Sequence, residues 1–158
     1  MTTPETAALA EQLDAALETL RQATDGSRCT LRMDDAAHGW NVDFVIAEAL
    51  QPGIKSLRGD GSIDQRRAAT VIWLQDHRRL LIQPDLTRPV EPAPPPALLS
   101  AYAATAQMLA PLLDETGLLR GWISVHYVGG PRDLTQNLQD ELAASRSKVA
   151  AMLNLPAQ

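Results

Sequence analysis

The chain has 158 residues, 45 % of them hydrophobic and 21 % charged, enough for one domain around one core. Its net charge of -5 and pI near 5.1 argue against nucleic acid as a partner, because that affinity rests on neutralising phosphates with Lys and Arg. Lys55 and Lys148 are the only lysines, so a polybasic membrane signal is missing too. No apolar run reaches the roughly 18–20 residues of a membrane span, and Met1-Thr2-Thr3-Pro4-Glu5 lacks the basic start of a secretory signal. The lone Cys29 rules out an intramolecular disulfide and a cysteine-based zinc cage. The expected setting is the cytoplasm.

Thr3 and Pro4 open a first helix over about 4–24, with Leu9, Leu13, Ala16, Leu17 and Leu20 as one stripe and Asp25-Gly26 as its stop. Cys29, Leu31 and Met33 alternate with Thr30 and Arg32, which predicts a strand. After a polar turn, Trp40, Val42, Phe44 and Ile46 alternate again, so a second strand is expected through about Ala47. Residues 51–61 read as loop. A helix is expected from Ser62 or Asp64 to about His77, then a short strand over Leu80-Leu81-Ile82.

Residues 89–96 hold five of the eleven prolines and read as a stiff, extended surface connection, followed by a helix over about 97–104. Thr105–Leu113 and Leu118–Val128 are two strand-like runs joined by Asp114-Glu115-Thr116-Gly117, an antiparallel hairpin. Pro111 implies a bulge there, or a position whose missing N–H faces away from its partner. A last helix over about 134–154 carries Leu138, Leu142, Val149 and Leu153. Neighbouring strands in this order favour a single α+β domain over 1–158, with an antiparallel sheet.

The run Leu119-Arg120-Gly121-Trp122-Ile123-Ser124-Val125-His126-Tyr127, with Gly130-Pro131-Arg132 after it, resembles the penultimate strand of GAF domains and the loop leaving it. The element order is similar to that family over about residues 5–154. The resemblance implies a GAF-like sheet with both terminal helices on one face and a ligand-pocket layer on the other. It also implies small-molecule binding, with the ligand open. In phytochrome relatives the matching strand ends in a His pair; here those places are His126 and Tyr127, and Tyr102 resembles a pocket tyrosine. Bilin-binding members use a suitably placed Cys, whereas Cys29 among Leu31 and Met33 reads as a small buried hydrophobe. A branch that reduces methionine sulfoxide needs several cysteines, so that activity is not expected.

Alternation on the last strand places Trp122, Ser124 and His126 on one face and Ile123, Val125 and Tyr127 on the other, more apolar face. The first set is expected to face the pocket. His126 is then either a ligand contact or a core histidine satisfied by a backbone carbonyl. Arg32 is either a pocket group suited to a carboxylate or phosphate, or a strand-edge arginine in water or paired with Asp34 or Asp43. Phe44, Tyr102 and Met108 complete the expected lining of a pocket between the sheet and segment 48–100. His38 follows Asp34 and Asp35, but no histidine pair has zinc-motif spacing, so no metal is expected. No triad or phosphate loop is present, and an enzyme is not expected. A ligand-binding sensor signalling to a separate output protein is the first reading; a structural module with a vestigial pocket is the second. The apolar stripes of the terminal helices suggest a homodimer, unless they only cover their own sheet.

Overall fold

The computed structural model describes residues 2–158. Helix α1 runs Pro4–Thr24: the Thr3 hydroxyl accepts the Thr6 N–H, Pro4 takes a position where no N–H is needed, and Asp25 ends the helix at a φ of 53°. Strand β1, Arg28–Met33, and β2, Ala47–Leu50, pair antiparallel. Helix α2 spans Ala69–His77, β3 Leu81–Gln83 and the short α3 Pro96–Ser100. The long hairpin is β4, Ala104–Leu113, with β5, Leu119–Val128, and α4 spans Gln136–Met152. The five strands form one sheet in the order β2-β1-β5-β4-β3, with every neighbouring pair antiparallel, so the chain is α+β as expected.

Strand alternation divides the sheet into two faces. Leu31 and Met33 of β1, Met108, Ala110 and Leu112 of β4, and Ile123, Val125 and Tyr127 of β5 form one core with Leu13, Leu17 and Leu20 of α1 and Leu142 and Val149 of α4. Leu13, Leu17, Leu142 and Val149 are each 0 % exposed within the single chain. Each such side chain contributes roughly 1.5–3 kcal/mol by leaving water. Most of each apolar stripe therefore covers its own sheet, while Leu9 and Leu138 are only partly buried. Cys29 lies in this core at 0 % exposure, and burial pushes its thiol well above the usual range.

Several expected elements differ. Residues 40–46 are not a strand: Trp40 makes one isolated bridge to Asp35, and pairing with β1 begins only at Ala47. The segment is instead a turn, with Asp43 N–H donating to Asn41 Oδ1 and Val42 N–H to Asp34 Oδ1. The helix expected from residue 62 or 64 is a 3-10 turn, Gln65–Arg67, separated from α2 by extended Ala68. Pro111 stays in register opposite Trp122, beyond the point where β3 stops pairing at Leu109; the irregularity follows between Leu112 and Leu113. In the 114–117 turn, Asp114 Oδ1 accepts the N–H groups of Thr116 and Leu118, and Gly117 takes a φ of +81° that a side chain would resist.

Candidate functional site

The face of the sheet away from the terminal helices carries the polar residues. β1 presents Arg28, Thr30 and Arg32, paired across the ladder with His126, Ser124 and Trp122 of β5. β4 adds Gln107 and Leu109, and segment 57–71 with Pro95 and Leu98 closes the layer from above. The cavity beneath this cover is ≈ 30 Å³, space for a water or two as it stands. Thr30, Arg32, Trp122, Ser124 and His126 all line it.

Arg32 is 4 % exposed and donates from Nη1 to the carbonyls of Val42 (3.0 Å) and Asp43 (2.9 Å). That grip holds the 40–46 turn against the sheet and accounts for the lost strand. Arg28 is fully buried: Nε donates to the Lys55 carbonyl (2.9 Å), Nη2 to the Tyr102 carbonyl (3.2 Å), and Nη1 stands 3.3 Å from His126 Nδ1. A guanidinium can only donate, so Nδ1 accepts and the imidazole proton sits on Nε2. Burial, then the nearby charges of Arg28 and Arg32, holds the His126 pKa well below 6.5. His126 is thus a neutral donor on the cavity wall.

The cover is fastened at several points. Buried Glu48 of β2 accepts the Ser56 hydroxyl and the Leu57 N–H (2.8 Å), which seats Leu57 over the cavity. The Tyr102 hydroxyl donates to Asp60. Ser62 and then Tyr102, hydrogen-bonded to Asp60, lower its pKa to about 2. Arg66 forks onto Asp34 at 2.8 and 2.7 Å. Gln107 Nε2 donates to Gln83 Oε1 and Gln83 Nε2 to the Pro92 carbonyl, both at 2.7 Å. The proline-rich segment is therefore tied to the sheet and walls the cavity through Pro95, rather than being a surface spacer.

Of the residues expected to line the pocket, Arg32, Trp122, Ser124 and His126 come together. Tyr102 is buried beside them and works through its hydroxyl and carbonyl, outside the cavity lining. Phe44 is 48 % exposed and rests against Gly61, because the turn at 40–46 does not follow strand alternation. Met108 is on the opposite face, in register with Val125 beneath the terminal helices; Gln107 and Leu109 take the pocket side. Arg28, Gln83 and Gln107 were not among the expected residues. Extending the β1 alternation one residue back would have found Arg28. His38 bonds Asp35 at 2.8 Å, and no group of three metal-ligating side chains exists among the described residues. No helix among them is long and apolar enough to cross a membrane.

An antiparallel sheet with its terminal helices packed on one face and a closed polar layer on the other defines the class: a GAF-like α+β domain. The profile of the GAF domain matches residues 8–154, and the chain belongs to that family. No curated protein matches. Among solved structures, the blue-light absorbing form of the Thermosynechococcus elongatus PixJ GAF domain is similar at 18 % identity and a TM-score of 0.67, over 92 % of this chain and 87 % of that one. The photoproduct state of a GAF domain from Synechocystis gives 13 % and 0.69, over 92 % of both chains. The chromophore binding domain of Stigmatella aurantiaca phytochrome P1 gives 20 % and 0.67, over 91 % of this chain and 54 % of that one. At these identities the likeness is one of fold.

Proposed function

We propose that this GAF domain is a sensor that binds a small molecule, without catalysis, between the sheet and segment 48–100. The observation that carries the reading is the buried Arg32, which lines the cavity and spends only Nη1 on the protein. Ser145 Oγ is the one unpartnered buried side-chain atom among the described residues, so the remaining N–H groups of Arg32 are not sealed away and are available to a ligand. Thr30, Ser124 and His126 beside it supply fixed hydrogen-bonding groups, and Trp122, Val71 and Leu109 supply apolar wall. A cytoplasmic setting and an output through a separate protein belong to this reading. So does non-covalent binding, since the only cysteine lies in the opposite core.

The second reading is an interaction module whose pocket layer is simply a polar core, and the small cavity of ≈ 30 Å³ favours it. Native mass spectrometry of the purified protein separates the two. A co-purified small molecule released on denaturation supports the sensor; a bare chain that no member of a fragment library stabilises supports the module. Self-association is part of the second reading, and light scattering at tens of micromolar tests it against twice the 17.1 kDa chain mass.

A further inference from the structure

The charge balance of the cavity narrows the ligand chemistry. Arg32 is the one charged side chain in the lining, and no Asp or Glu lines it. Arg28 stands behind His126 and adds a second buried positive charge. Neither arginine makes an ion pair within 4 Å among the described residues; the carboxylates of Asp60, Asp43 and Glu48 act on them only through space. Burying two guanidinium groups without a contacting anion is costly, and an anion placed in the cavity would offset that cost.

The geometry adds a shape. With Nη1 committed to the carbonyls of Val42 and Asp43, the free part of Arg32 is the Nε–Nη2 edge, two parallel N–H donors. That edge matches the two oxygens of a carboxylate. The neighbouring donors are His126 Nε2–H, by the tautomer argument, and the hydroxyls of Thr30 and Ser124. The ≈ 30 Å³ of space is about that of one or two waters, so the cover must give slightly even for a carboxylate of four heavy atoms.

We propose that the cavity takes a small carboxylate, seated on the Nε–Nη2 edge of Arg32 and flanked by Thr30, Ser124 and His126. This rests on the reading of the layer as a ligand pocket. Trp122 and Leu109 would then face the carbon end of the ligand, and a carboxylate with a longer tail would have to displace segment 57–71.

The test titrates sodium acetate, the isosteric neutral acetamide and sodium nitrate into the full chain, with chloride holding the ionic strength constant. Binding is read by calorimetry and by the Arg32 Nε–H resonance in labelled protein. Saturable acetate binding at least tenfold tighter than acetamide and nitrate, with a shift of the Arg32 resonance, supports the proposal. Arg32→Gln should lose at least tenfold in acetate affinity; if that variant does not fold, the resonance shift in the unmodified protein decides. Acetamide or nitrate binding as tightly as acetate, or acetate binding without moving the Arg32 signal, overturns the carboxylate assignment and leaves the pocket reading standing. Failure of all three to bind overturns the carboxylate assignment, while the fragment screen decides the pocket itself.

Discussion

Arg28 and His126 are cross-strand partners on β1 and β5, and the guanidinium Nη1 lies 3.3 Å from the imidazole Nδ1. The contact requires neutral His126, and it sets the pH dependence of stability. The folded-state pKa is held well below 6.5, so below that pH the unfolded chain binds the proton that the folded chain refuses. The contribution is complete above pH 6.5 and is lost as the pH falls below it. The slope approaches about 1.4 kcal/mol per pH unit for one such group. Urea denaturation from pH 8 to pH 5 should show this decline, and His126→Gln should flatten that part of the profile.

Gly121 of β5 pairs with Met33 of β1 across the ladder. A Cβ there would sit 2.1 Å from the Arg32 carbonyl oxygen and 2.9 Å from Met33 Cα, both backbone atoms that cannot swing away. Gly121→Ala should therefore push the two strands apart and cost at least about 1–3 kcal/mol, the usual range for overpacking. Denaturant midpoints measure the loss.

The Arg66–Asp34 fork is a tie on the cover with both side chains partly in solvent. Such pairs contribute about 0.2–1 kcal/mol, so Arg66→Ala should barely change global stability. Local opening should change more. Hydrogen exchange over residues 60–70 should quicken while β4 and β5 keep their protection.

Much of this arrangement was legible in the amino-acid order. The alternation of Cys29-Leu31-Met33 against Thr30 and Arg32, and of Ile123, Val125 and Tyr127 against Trp122, Ser124 and His126, sorted both strands correctly between the faces. β4 was ambiguous because Met108 and Leu109, on opposite faces, are both apolar, and only pairing with β5 distinguishes them. The run Trp40, Val42, Phe44 and Ile46 alternated for another reason: Val42 packs beneath Trp122, Ile46 against the helix-side core, and Phe44 over Gly61. The tie from Gln107 through Gln83 to Pro92 joins residues far apart in the chain, and no local pattern announces it.

The central claim is a small-molecule pocket on the polar face of the sheet, and an NMR fragment screen tests it most directly. With the backbone and tryptophan indole signals assigned, the account predicts that binders shift Thr30, Arg32, Ser124, His126 and the Trp122 indole together. Segment 57–71 should move with them, while α1 and α4 stay unperturbed. A screen in which no compound perturbs that set, or in which every binder maps to the terminal helices instead, would contradict it.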